Sequence, residues 1–190
     1  MILMDDIIRE GHPTLNKRAQ DVSLPLSNND KKLLKEMLEF VTNSQDNELA
    51  EKYDLRPAVG IAAPQLNIPK RMFVVHFVGF DNTLYEYLLI NPSLEVLDNT
   101  DIYLPGGEGC LSVDRPTEGL ITPRHNRVLL KAHRFDPYAN IVVPIELELN
   151  GYEGIVFQHE YDHLEGVLFT EKMYPELPNA KPAFEIVSND

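Results

Sequence analysis

Leu33, Leu34, Met37, Leu38 and Val41 recur at three- and four-residue intervals behind an Asn28-Asn29-Asp30 cluster that can cap a helix. The spacing predicts a core-facing helix over about 28–41. A polar run, Asn43-Ser44-Gln45-Asp46-Asn47, breaks the pattern before a second short helical segment near 48–53. From Arg71 the texture changes to strand-like runs, Met72–Val78 and then 85–90, punctuated by Gly79 and Asn91-Pro92. Val128-Leu129-Leu130 and 141–149 continue the series. In the latter, Ile145, Leu147 and Leu149 alternate with Glu146, Glu148 and Asn150, the period-two signature of a half-exposed strand, and antiparallel pairing is expected. Asn150-Gly151 ends that strand. Residues 152–164 read as a helix stopped at Gly166, a left-handed terminator. Pro175, Pro178 and Pro182 forbid a continuous helix in the tail, leaving Phe184-Glu185-Ile186-Val187 as a candidate final strand.

A chain of 190 residues, 43% hydrophobic and 25% charged, has the balance of one globular domain over 1–190 rather than of a disordered or fibrous protein. The implied class is α+β, with antiparallel sheets around a central helix. No apolar run approaches the length of a membrane span, and the start turns acidic at Asp5-Asp6, so the expectation is a cytoplasmic protein without a membrane partner. A formal net charge of -13 argues against DNA and other broad phosphate surfaces. Lys31-Lys32 and Lys70-Arg71 are too short to form a basic patch and read as solvated.

The chemistry gathers in the late helix. In Gln158-His159-Glu160-Tyr161-Asp162-His163 the two histidines are four apart and so share a helix face, which suits two ligands of one ion. Glu160 stands beside the ion without binding it, where a carboxylate can take a proton from water. No histidine follows His163. Glu165 and Glu171 could complete the ligand set, but the one cysteine is the better third ligand: it cannot form an intrachain disulfide, and it lies in a glycine-rich stretch, Gly106-Gly107-Glu108-Gly109-Cys110-Leu111-Ser112, that permits close backbone approach. His12, His76, His125 and His133 match no metal spacing, and Asp162 reads as a structural partner.

Three strings in order, Ala58-Val59-Gly60-Ile61-Ala62-Ala63-Pro64-Gln65, Glu108-Gly109-Cys110-Leu111-Ser112 and Gln158-His159-Glu160 through His163-Leu164 to Gly166, resemble the motifs of the peptide deformylases. The resemblance begins near Asp6 and spans nearly the whole chain. The polar insert 43–54 and the extended tail are similar to the subgroup from Gram-positive bacteria. The resemblance implies removal of the formyl group from formyl-Met N-termini of new polypeptides, and leaves a transient ribosome contact open. It implies that Cys110, His159 and His163 hold ferrous iron, with zinc, nickel or cobalt able to substitute. It further implies that Glu160 is the acid/base group, and that Gln65 with the Leu111 N–H holds the oxyanion. The strand around Val59 and Gly60 would pair with the substrate backbone, Gly109 would border it, and Ile155 and Val156 with His159 would line the methionine pocket. Ala58 departs from the motif, which has glycine there for either a positive φ or a close ligand approach. Two rivals remain: a cysteine hydrolase using Cys110, and a non-catalytic relative.

Overall fold

The structure is a computed structural model that describes residues 1–186. Two helices come first, α1 (Asn28–Gln45) and α2 (Asn47–Tyr53). They are followed by β1 (Gly60–Ala62), β2 (Met72–Val78), β3 (Leu84–Tyr103), β4 (Arg124–Asp136) and β5 (Ile141–Asn150), then α3 (Gly151–Glu165) and β6 (Lys181–Pro182). The strands form one sheet in the order β1-β2-β3-β4-β5, each neighbour antiparallel, with β6 added in parallel to β3. This is the α+β architecture expected, with one parallel pair that was not.

The cap of α1 is Ser27, whose hydroxyl accepts from the Asp30 N–H at 3.1 Å, rather than the Asn28-Asn29-Asp30 cluster. The helix also runs past 41 to Gln45. Its polar end is not a break because Ser44 is buried and satisfied, donating to the Val41 carbonyl at 2.7 Å and accepting from the Ala58 N–H at 3.1 Å. Leu34, Met37, Phe40 and Val41 lie in one core cluster with Val74, Leu88 and Ile90 of the sheet.

Asn91-Pro92 does not end a strand. Asn91 takes a left-handed φ of 50° at a register shift between Ile90 and Ser93, and β3 continues to Tyr103. A proline sits there at no cost in ladder bonds because the bulge asks for none. The Asn91 side chain ties the bulge to Val22, accepting from its N–H at 2.7 Å and donating to its carbonyl at 2.9 Å. Arg71 corrects the solvated reading of Lys70-Arg71. It is 2% exposed, donates to the Leu164 and Pro92 carbonyls, and meets Glu165 at 2.7 Å. Among the described residues the tail strand lies at 181–182. Residues 184–186 are outside any strand and Val187 lies outside the described residues.

Nine of the fifteen residues of α3 are buried, so this helix is central and even its polar side chains need partners. Phe157 packs edge-on against Phe73, Phe77, Tyr85 and Tyr87. Gln158 accepts from the His125 N–H at 3.0 Å and donates to the His125 carbonyl at 2.9 Å, which fixes α3 against β4. The helix ends at Gly166, whose φ of 75° is left-handed; a side chain there would also strike the Lys17 backbone at 2.7 Å. Among the described residues, no helix is long and apolar enough to cross a membrane.

Candidate active site

One turn of α3 separates His159 from His163, and the loop before β4 brings Cys110 to them. One ligand atom from each of Cys110, His159 and His163 lies within 4.8 Å of the others. Cys110 Sγ is 3.4 Å from His163 Nε2. A sulfur and a nitrogen sharing a tetrahedral ion at bond lengths of about 2.3 and 2.1 Å stand roughly 3.6 Å apart, so Cys110 and His163 are spaced as two ligands of a divalent cation, with His159 close enough to complete the set. Glu165 and Glu171, the other ligand candidates, are engaged elsewhere: Glu165 with Arg71 and Arg18, Glu171 with Asn16.

Glu108, which carried no role in the sequence reading, orients the first histidine. Its carboxylate accepts from His159 Nδ1 at 2.7 Å, leaving Nε2 of that ring for an ion. The same carboxylate takes two hydrogen bonds of 2.8 Å from Arg124, which in turn donates to Asp162 at 2.5 Å, and Lys172 meets Asp162 at 2.7 Å. Burial raises the pKa of Glu108, but the charge and hydrogen bonds of Arg124 overcome it and hold the group down to about 2. For His159, burial opposes the charge, yet hydrogen bonds to Cys110 and Glu108 raise its pKa well above the usual value. Burial lowers the pKa of His163, and the neighbouring His159 lowers it further. Asp162 is thus the structural partner expected, whereas no local string signalled Arg124, and Glu108 stood in the second motif without a role.

Glu160 is buried against β1 and its Oε2 has no hydrogen-bond partner among the described residues. Burial is the main reason its pKa is pushed up to about 7. Gly60 makes this placement possible, because a Cβ there would lie 2.6 Å from Glu160 Oε1. Gln65 stands on the other side of the cluster. Its Oε1 accepts from the Ala62 N–H at 2.9 Å, and its Nε2 reaches Cys110 Sγ at 3.5 Å and Ser112 Oγ at 3.2 Å. The Leu111 N–H has no protein acceptor among the described residues.

These groups line a cleft of about 350 Å³ together with Val59, Gly60, Gly109, Tyr152, Ile155 and Val156. Every residue that the resemblance places in the site borders this cleft except the buried His163. β1 is the edge strand on its rim. His76 N–H donates to the Val59 carbonyl at 2.9 Å, which turns the peptide groups of Ala58, Gly60 and Ala62 away from β2. Ala58 is capped by Ser44 and Gln45, and the Ala62 N–H by Gln65. The pattern leaves the Gly60 N–H and C=O open toward the cleft. Ala58 has no positive φ, so alanine is unstrained there; the residue borders the cleft and packs against the core cluster of α1 and the sheet. Gly109, read as allowing tight approach, has open space around it.

A family model for polypeptide deformylase matches residues 4–178. The peptide deformylase of Oceanobacillus iheyensis is 49% identical over 178 residues, 94% of each chain. Peptide deformylase 2 of Bacillus cereus is 48% identical over 182 residues, 96% of each chain. The crystal structure of peptide deformylase from Thermotoga maritima superposes with a TM-score of 0.65 at 34% identity, covering 89% of this chain and 97% of that one. A match over nearly the full length, carried by a chain whose three motifs converge on one cleft, shows that this protein is an enzyme and belongs to the polypeptide deformylase family.

Proposed function

We propose that this enzyme is metal-dependent and hydrolyses the formyl amide of formyl-Met N-termini on nascent polypeptides, releasing formate. The observation that carries the reading is the convergence of Cys110, His159 and His163 on one small volume with Glu160 and an open peptide edge at Gly60 beside it. Cys110, His159 and His163 hold the ion. The donor set suits several soft to borderline cations, and ferrous iron is the native choice in this reading, with zinc, nickel or cobalt as substitutes. The bound ion supplies a Lewis acid that polarises the carbonyl and makes water nucleophilic at neutral pH.

Glu160 takes a proton from the water as its oxygen adds to the formyl carbon. It returns that proton to the amine as the C–N bond breaks, leaving formate and a free N-terminus. Burial keeps its proton affinity high enough for both steps near neutral pH. Gln65 Nε2 and the Leu111 N–H donate to the oxygen on which charge develops, so they favour the transition state over the bound substrate. The open Gly60 edge, next to Val59 on the cleft that Gly109 also borders, pairs with the substrate backbone as an added strand. Ile155 and Val156 with His159 accept the methionine side chain. A transient ribosome contact belongs to the same reading, with the net charge of -13 arguing against ribosomal RNA as a major partner.

The test is formate release from formyl-Met-Ala-Ser by protein purified and iron-loaded without oxygen, with and without 1,10-phenanthroline. Activity abolished by the chelator is expected. Chelator-resistant activity would point to Cys110 as a nucleophile, and no release would favour a non-catalytic relative.

A further inference from the structure

Tyr152 stands between two cavities. On one side it continues the α3 face of Ile155, Val156 and His159 and forms part of the cleft. On the other it borders a surface depression with Phe80 and Phe184. The Phe80 ring meets Tyr152 edge-on at 5.4 Å, while Phe184 lies 4.7 Å from Phe80 and 6.3 Å from Tyr152. Phe77 closes on Tyr152 from the core at 5.6 Å. Edge-to-face pairs of this kind restrict the orientation of a ring that is otherwise only half buried.

Each outer ring is held by its own backbone. Lys181 and Pro182 pair with Ile102 and Tyr103, and the Ala183 N–H donates to the Tyr103 carbonyl at 2.9 Å, which delivers Phe184 over the start of α3. Glu153 accepts from the Phe80 N–H at 2.7 Å, which fixes the β2–β3 turn on the same helix start. Two segments far apart in the sequence, the β2–β3 turn and the tail, therefore converge on one side chain of the cleft wall.

We propose that Phe184 is a positioning residue for substrate selectivity: through Phe80 and Tyr152, the docked tail fixes the mouth of the side-chain pocket and so limits which first residues the enzyme accepts. Phe184 itself lies outside the cleft and touches no reacting atom. The inference rests on the deformylase reading for the identity of the substrate, though not for the existence of the brace. Loss of the brace lets Tyr152 leave its position, which admits wider side chains while the groups around Cys110 and Glu160 stay in place.

The test compares wild type with Phe184→Ala, Phe184→Leu, Tyr152→Ala and the double Phe184→Ala/Tyr152→Ala. Substrates are formyl-Met-Ala-Ser and formyl-Phe-Ala-Ser. Phe184→Ala should shift the ratio of kcat/KM for the two peptides by about fivefold toward the wider one, less than a whole methylene is worth in a fitted pocket. The change should sit in KM, with kcat on formyl-Met-Ala-Ser within about twofold of wild type. Phe184→Leu should restore most of the ratio, and Phe184→Ala should add nothing once Tyr152 is alanine. An unchanged ratio, or an equal shift in the Tyr152→Ala background, overturns the proposal. Calorimetric affinities for Met-Ala-Ser and Phe-Ala-Ser on the same proteins separate the two readings. A wild type that releases no formate, with a peptide-affinity ratio that moves in Phe184→Ala, sinks the deformylase function and keeps the brace. Absence of both activity and peptide binding overturns both.

Discussion

A methyl group at position 60 would stand 2.6 Å from Glu160 Oε1, so the glycine and the carboxylate are one design rather than two. Gly60→Ala should displace Glu160 and lower kcat on formyl-Met-Ala-Ser by about a hundredfold, since misplacement by an ångström suffices for such a loss. Metal content should be unchanged; loss of the ion in step with activity would show that the glycine supports the ligands instead. Glu108 makes a different prediction because it acts through His159. Glu108→Gln should weaken metal affinity about 10- to 100-fold, measured by competition with a chromophoric chelator, and an unaltered affinity would remove Glu108 from the ligand set's support. The same residue governs part of the acid stability of the metal-free protein. Its folded pKa of about 2 lies below the ordinary 4.5, so its contribution is complete above 4.5 and is lost as pH falls toward 2. The variant should therefore show a flatter acid limb in that window. The candidate ligands His159 and His163 and the acid/base candidate Glu160 were legible in the sequence as local spacing along a helix, and Cys110 as the one cysteine in a glycine-rich stretch. Glu108, Arg124 and Asp162 were not legible as a group, because they meet only through tertiary pairing.

At the scale of elements, hydrophobic period located α1, α3, β2, β5, the middle of β4 and the first part of β3, did not find β1 or the rest of β3, and failed where polar residues serve a neighbour. The end of α1 is the clearest case: Ser44 and Gln45 look like a helix break, yet they cap the outward peptide groups of Ala58 and hold β1 on the cleft rim. The link from α2 to β1 does similar work through Arg56, which donates to the carbonyls of Cys110, Leu111 and Val113 at 3.0, 3.3 and 3.2 Å. That fork sets the backbone from which the Leu111 N–H and the Cys110 sulfur project. Arg56→Ala should slow turnover about tenfold with KM little changed, because a loosened loop forfeits alignment more than binding. Arg56→Lys should fail to rescue it, since an ammonium cannot span three carbonyls as a planar guanidinium does. Steady-state kinetics on metal-replete protein decide the matter: wild-type kcat in the alanine variant would make the loop self-supporting.

Across the whole molecule, the fold depends on a cation that composition alone would place in water. Arg71 follows Lys70 at the start of β2, and a charged pair there reads as surface because nothing nearby in sequence offers it a partner. The partners come from the two far ends of the architecture: the Pro92 carbonyl at the β3 bulge, the Leu164 carbonyl at the end of α3, and Glu165 beside it. The Arg71 guanidinium also lies 5.5 Å from the Tyr161 ring. One side chain thus joins the sheet's main irregularity to the terminus of the helix that carries His159 and His163. Arg71→Met keeps the aliphatic bulk while removing a donor from the Pro92 carbonyl, leaving the Leu164 carbonyl with the Ala19 N–H, and leaving Glu165, among the described residues, with only the exposed Arg18 as counter-charge. The loss should be about 3 kcal/mol, at the lower end for a broken buried pair because Glu165 retains solvent. For a chain of this length that corresponds to a fall in Tm of roughly 6–12 °C. Turnover at 25 °C should stay near wild type, since on α3 Arg71 meets Tyr161, Leu164 and Glu165 rather than His159, Glu160 or His163. Calorimetry of the metal-free and metal-bound forms would show the same decrement in both. A decrement confined to the metal-bound form would instead place Arg71 in the support of the ion, and an unchanged Tm would mean that the bulge and α3 hold together without it.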